Sequence, residues 1–506
     1  MTFVIDSDDG LEARFTLERE RGGEIEEPPF NILVLGDWTG DAAKKAVVDR
    51  RPTEVDRDNF DELLGRLGTK LDLAQPNGET LTLEFREFDD FHPDRIFERL
   101  PMFARLRDLR SRLLSSDRFN EAAGEVRSWF KVEEPARPEP AAATETSGST
   151  GSDGLLDAIL SGSTAAAPKP KASGEVAELI KDLVRPHLVS VDENEQAALL
   201  AAVDAATSNL MRRVLSDRRF KALESAWRGL YLLVRRAETS TDLRIYILDL
   251  TKDEFSDGLK NVSDLRSSVL FKLVVSEAVD TPGGEPWAAV FGDYSFGPVK
   301  DDVAALMRVA KIGAAANTPF VSHMRPEVLG VTSLAEQSDP SKWDFSTDSD
   351  AGKLWSILRG LPEAEYLGMT MPRFLSRLPY GRESEPLETF QFEEFEGAPA
   401  HDDYVWANSC FIAALLMAQS FCSYGWQMDR RFIQDIEQLP MHMYKADGET
   451  IYQPCAEVLL TQNACERMME HGLMPLVSYK NTDHVKLARF QSIADPITGL
   501  RGRWTQ

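Results

Sequence analysis

Cysteine is scarce in this chain, with four residues in 506. Cys410, Cys422, Cys455 and Cys465 form no C-x-x-C pair, which removes the common zinc and thioredoxin patterns. At this dilution they read as reduced thiols of a cytosolic protein. The seven histidines include no H-E-x-x-H or other tight metal spacing. No G-x-S-x-G elbow marks a serine hydrolase. Basic runs are also missing: 57 Lys and Arg face 83 Asp and Glu, a formal net charge of -26. That balance excludes nucleic acid and anionic membrane as general partners. No apolar run approaches the length of a membrane span. The start, MTFVIDSDDG, lacks the basic head and apolar core of a leader. The expectation is a cytoplasmic chain with no metal, no cofactor and no membrane insertion.

Hydrophobic residues make up 42% of the sequence, enough for sizeable cores, and the length suits several domain-sized units. The stretch FNILVLGDWTG, Phe30 to Gly40, reads as a buried strand ending in a tight turn at Gly36. It fails as a phosphate loop. Its glycines are four apart, no Lys-Ser/Thr follows, and Asp37 would repel phosphate. The dinucleotide fingerprint fails as well. LTLEFREF (Leu81 to Phe88) reads as a second strand. DNFDELLGRLG reads as a helix capped by Asp58, with Phe60, Leu63, Leu64 and Leu67 on one face. HPDRIFERLPMFARLRDLRSRLL predicts one amphipathic helix or a pair. Its stripe of Ile96, Phe97, Leu100, Phe103, Leu106 and Leu109 needs an apolar partner surface.

Residues 132–175 are rich in Pro, Ala, Ser, Thr and Gly, and cannot bury enough apolar area to offset ordering entropy. They read as a flexible linker between a 1–131 region and a 176–506 region. One island, GLLDAILSG at 154–162, would place Leu155, Leu156, Ile159 and Leu160 on one face of a two-turn helix. Such an island is either a docking peptide or a short helix packing back on its own chain. The 176–506 region alternates amphipathic helices with strands, an α/β pattern. DLRIYILDL is a strand, and WAAVFGDYSFG repeats the strand-then-Gly-Asp pattern of the first stretch, so that Asp293, like Asp37, follows a strand and Gly, where a turn-stabilising role is the commoner one. VWANSCFIAALLMAQSFCSYGW is an apolar helix of about five to six turns, with Asn408, Ser409 and Ser423 marking it as buried in a soluble fold. Arg373 and Arg377 in MPRFLSRLPYG are either a grip on an acidic group or internal ion pairs, and in so acidic a chain the ion pair leads. His442 reads as a core or turn histidine. No constellation of catalytic residues emerges.

Several blocks carry a resemblance. FNILVLGDWTG, RRPTEVDRDNFDELL and LEFREFDDFHPDRIFERLPMFARLRDLRSRL, in that order, resemble the small sheath subunit of type VI secretion (TssB, VipA or ImpB) over about 28–130. FKALESAWRGLYLLVRRAETSTDLRIYILDLTKDE, GGEPWAAVFGDYSFG, AALMRVAKIGAAANTPFVS, YLGMTMPRFLSRLPYG and NSCFIAALLMAQSFCSYGW resemble the large sheath subunit (TssC, VipB or ImpC) over about 205–490. The resemblance implies an α/β (α+β) fold with mixed sheets flanked by helices, and two family regions joined by the linker. It implies a non-enzymatic sheath component assembling around an inner tube for contraction-driven secretion. Implied partners are other sheath subunits, the inner tube protein, the baseplate and a ClpV-type unfoldase. The unfoldase would dock at Leu155, Leu156, Ile159 and Leu160. Large subunits of that family continue beyond the region matched here. A chain shortened at its C-terminus is expected to cap a sheath end, or to assemble with a full-length relative. The competing readings are a sheath-like accessory or assembly factor, and a cytosolic α/β enzyme with a dispersed site.

Overall fold

The computed structural model describes residues 2–5, 13–16, 27–74, 80–115, 117–130, 195–446 and 448–505. The 132–175 linker, with its 154–162 island, lies outside them. The architecture is mixed α/β. Two compact units form, and neither is a single run of sequence. The first joins Met1–Leu67, Ala222–Leu378 and Ala400–Gln506; the second joins Gly68–Lys221 to Pro379–Pro399.

A nine-stranded sheet organises the first unit. Its order is Asp435–Ile436, Val485–Leu487, Leu473–Ser478, Leu367–Met371, Phe320–Met324, Trp287–Phe296, Phe30–Gly36, Leu243–Asp249 and Thr53–Val55. The six strands from Leu473–Ser478 to Leu243–Asp249 are mutually parallel, while the strands outside them pair antiparallel. Parallel strands covered on both faces read as unbroken apolar runs. Phe30–Gly36 has that character, with every residue buried. It pairs in full register with its neighbour, from Phe30 opposite Leu243 to Gly36 opposite Asp249.

Leu33 and Leu35 join the core that also takes Leu306, Val309 and Ala310 of the Lys300–Ala316 helix. The apolar helix spans Cys410–Tyr424, 15 residues, rather than the five to six turns expected. Trp406–Ala407, just before it, is a short strand paired with Phe374–Leu375. Gly425, at φ +58°, ends it, a conformation that favours glycine. Asn408 and Ser409 are buried just ahead of the helix, and Ser423 is exposed. Gly229 has a packing reason, since a Cβ there would lie 2.3 Å from the Phe411 ring.

The second unit is mainly helical. Pro93–Arg99 and Pro101–Leu114 form the expected pair, broken where Pro101 opens a new helix. The Pro101–Leu114 helix packs on Glu195–Ser216. LTLEFREF is strand only over Thr80–Glu84, which pairs with Lys70–Ala74. Beyond it, Phe85 turns inward to stack on Phe91, centroids 4.1 Å apart, and the Asp90 carboxylate accepts from the Arg86 backbone at 2.7 Å. That turn chemistry outweighs the alternating pattern.

Candidate functional site

A polar arrangement in the first unit lies at the carboxyl ends of its parallel strands, where open sheets of this type place binding groups. It is a seam, because its residues come from distant parts of the chain. Asp249 ends Leu243–Asp249. Its carboxylate accepts from the Trp38 backbone N–H at 2.9 Å and from the Thr39 hydroxyl at 2.9 Å. Arg50 donates through Nη1 and Nη2 to the two Glu254 oxygens at 2.8 and 2.6 Å, and Nη1 also reaches the Asp249 carbonyl at 2.8 Å. The Arg50 hydrogen bonds hold the Glu254 carboxyl down at about 2, against the opposing effect of burial. Trp227 donates its indole N–H to the Trp38 carbonyl at 3.1 Å, and Phe60 packs edge-on against it with centroids 5.5 Å apart. A bidentate guanidinium–carboxylate pair fixes orientation as well as contact, so the seam has a defined geometry.

The two Gly-Asp positions behave differently. Asp37 follows its strand and is a turn residue: its carboxylate accepts from Gly40 N–H at 3.1 Å and pairs with Lys44 at 2.6 Å. Asp293 does not follow a strand as the sequence suggested. Trp287–Phe296 runs straight through it, because Tyr294 and Phe296 are buried core residues that carry the strand onward. Register slips there against Phe320–Met324, as a bulge does. Burial lifts the Asp293 carboxyl to about 7, and Asp37 adds to this against a hydrogen bond from Asn408.

A second polar group lies near the carboxyl ends of the neighbouring parallel strands. Ser295 Oγ is 3.1 Å from His323 Nδ1, and burial drops His323 to about 3. A nucleophilic serine needs a histidine oriented by an acid. The carboxylate whose charge reaches His323, Glu457, is committed elsewhere. It accepts from the Arg373 backbone at 2.7 Å and from Arg373 Nε at 2.9 Å, with His401 Nε2 at 3.2 Å. Arg377 likewise closes on fully buried Glu224, Nε to Oε1 at 2.7 Å. Both arginines therefore sit in internal ion pairs. His442 is buried with its Nδ1 2.9 Å from the Tyr404 hydroxyl, a core histidine.

The helix stripe is buried throughout the second unit: Ile96 at 3%, Phe97 at 8%, Leu100 at 6%, Phe103 at 0% and Leu106 at 1% exposure. Phe97 meets Phe390, centroids 4.6 Å apart. Leu155, Leu156, Ile159 and Leu160 lie outside the described residues. Sequence reasoning missed Arg50, Asp249 and Glu254. Asp249 did carry a signal, standing at the end of its strand as Asp37 does.

Comparison with known proteins identifies the class. Residues 197–494 match the VipB family, described as EvpB/VC_A0108, tail sheath N-terminal domain. Residues 12–122 match the family described as type VI secretion system, VipA, VC_A0107 or Hcp2. The chain belongs to the tail-sheath family of type VI secretion systems. Among curated proteins it is similar to the type VI secretion system sheath protein TssC1 of Pseudomonas aeruginosa, 36% identical over 307 residues. The aligned part covers 59% of this chain and 61% of that protein, so the chain spans about three fifths of its relative's length. The seam joins the two matches. Phe30–Gly36 and Arg50 lie in the 12–122 match, while their partners Leu243–Asp249, Trp287–Phe296 and Glu254 lie in the 197–494 match.

Proposed function

We propose that this chain is a structural subunit of a contractile sheath, carrying small- and large-subunit segments in one polypeptide. One observation supports the reading most strongly: a strand of the small-subunit match is an interior strand of a sheet, and its two neighbours belong to the large-subunit match. Fusion makes that pairing intramolecular, at high effective concentration. On this reading the chain works in the cytoplasm and performs no catalysis. It meets further sheath subunits, an inner tube and a baseplate. The Ile96, Phe97, Leu100, Phe103 and Leu106 stripe serves to pack one family segment on the other. The Leu155, Leu156, Ile159 and Leu160 island serves as the docking helix for a ClpV-type unfoldase.

Electron microscopy of the purified chain, alone and with its inner tube protein, tests the reading. Tubes or cogwheel rings are expected. Discrete particles under both conditions would favour an accessory factor instead.

A further inference from the structure

The first unit carries an apolar groove of about 420 Å³ beside the Lys252–Lys260 helix, walled by Leu248, Leu250, Phe255 and Leu270. Its mouth holds Asp253 and Asp257, both exposed. It also holds Gly258, inside the helix. Glycine there weakens the helix, and packing does not require it: a Cβ at Gly258 would meet nothing within 4 Å. It adds no side chain to the mouth. A buried-walled apolar groove with a few polar groups at its rim is a binding-site geometry.

The opposite end of the same sheet carries the complementary surface. The groove stands at the carboxyl end of Leu243–Asp249. The segment after the Cys410–Tyr424 helix stands at the amino end of Phe30–Gly36, the parallel neighbour. There Phe30 stacks on Phe421 with centroids 4.6 Å apart, and the Trp426 indole donates to the Pro28 carbonyl at 3.0 Å. Tyr424 is 41% exposed at that end, with the Arg431 guanidinium 5.8 Å from its ring centre, and the Arg430 side chain is 91% exposed. Asp429 lies 3.8 Å from Arg430, so two arginines against one aspartate leave this aromatic end basic, matching an apolar groove whose mouth carries two aspartates. In a chain of net charge -26, copies repel one another over most of their surface, so contact is steered to the places where exposed arginines meet acids.

We propose that the groove receives the Tyr424–Arg431 end of a second copy of this chain. The two surfaces are different and lie at opposite ends of parallel strands, so the contact is heterologous and repeats head to tail, giving a ring or an open array rather than an isologous dimer. The inference rests on the sheath reading and names one of the contacts by which subunits would stack.

Self-association of the full chain is measured by sedimentation velocity across a concentration series, with circular dichroism to confirm folding. The doubly reversed groove variant (D253R, D257R) and the doubly reversed end variant (R430E, R431E) should each associate more than about tenfold more weakly, since like charges then meet. An equimolar mixture of the two should recover association, because each then offers a surface complementary to the other. Gly258→Trp, which fills the mouth without changing charge, should weaken association as well. Variants that associate like the wild type, a mixture that fails to recover, or a wild-type chain that stays monomeric would each overturn the inference. The sheath reading is judged separately. Tubes formed with the inner tube protein by the charge-reversed variants would overturn the groove contact and leave that reading standing. Groove-dependent association by a chain that never forms tubes would do the reverse.

Discussion

Arg50 and Glu254 form a two-pronged ion pair across 204 residues of sequence, Nη1 to Oε2 at 2.8 Å and Nη2 to Oε1 at 2.6 Å. The Arg50 side chain is 9% exposed, so truncating it takes the donor from the Asp249 carbonyl and leaves Glu254 with only the Thr251 backbone N–H, at 3.0 Å. Arg50→Ala should cost roughly 1.5–3 kcal/mol, the range for hydrogen bonds to charged groups, read as a lower denaturation midpoint in urea. The pH dependence follows from the depressed Glu254 carboxyl, about 2 folded against an ordinary 4.5. Its contribution is present above 4.5 and lost as pH falls toward 2. Glu254→Gln should flatten the loss of stability over that window. An unchanged acid slope would remove Glu254 from the account.

The interior position of Phe30–Gly36 makes a prediction about a cut chain. A protease site placed within 131–194 separates the two family segments covalently. The strand pairs along its length with Leu243–Asp249 and on its other edge with Trp287–Phe296, so the two fragments should co-elute from a sizing column in native buffer and part only in denaturant. Leu33→Pro removes a ladder N–H from a strand with no free edge, where proline is not tolerated. It should prevent co-elution. Fragments of the unmutated chain that part without denaturant would show the sheet does not hold them.

The helix stripe has its own test. Phe103 is fully buried and stands 5.5 Å, centroid to centroid, from Phe97. Phe103→Ala should destabilise by about 3–5 kcal/mol through lost burial and the cavity left behind. Leu100→Asp buries a charge without a partner and should cost several kcal/mol. Calorimetry of the full chain reads both. A midpoint within a degree of the wild type for either variant would mean the stripe is not a packing surface.

Thiol chemistry should sort the cysteines by position. Cys422 is exposed, Cys465 intermediate, and Cys410 and Cys455 buried. Burial raises every one of these thiols, Cys455 to about 11. The thiolate is the reactive form, so a disulfide reagent near neutral pH should label Cys422 first and slowly. Cys410 and Cys455 should react only on unfolding. Cys422→Ser should remove the first phase. Retention of that phase would place the reactive thiol elsewhere.

Much of this fold could be read from the chain alone, and the reason is local. Phe30–Gly36, Leu243–Asp249 and the Pro93–Leu114 helix pair declare themselves through apolar runs and helical spacing, which depend on neighbours in sequence. Arg373 and Arg377 were legible as ion pairs because so acidic a chain offers carboxylates everywhere. The seam was not legible. Arg50 sits in an ordinary basic pair, and its meaning depends on a carboxylate 204 residues away that no periodicity points to. Asp293 misled for a related reason. Gly-Asp suits a turn, yet the burial of Tyr294 and Phe296 carries the strand onward, and that burial is decided by the neighbouring strands rather than by the dipeptide.

Asp293 therefore gives the sharpest pH prediction. Burial raises its carboxyl from an ordinary 3.8 to about 7, with Asp37 contributing and Asn408 opposing. A group raised on folding gives stability that is present below its unfolded value and lost as pH rises through its folded value. The loss runs between 3.8 and about 7, opposite in sign to that of Glu254. An amide at this position carries no charge in either state. Asp293→Asn, which keeps the side chain's size, should therefore change the denaturation midpoint little at pH 4 and raise it clearly at pH 8. Urea denaturation at the two pH values measures the difference. A gain of equal size at both would point to a packing effect, and a loss at pH 8 would mean that the ionised carboxylate is the form the fold prefers.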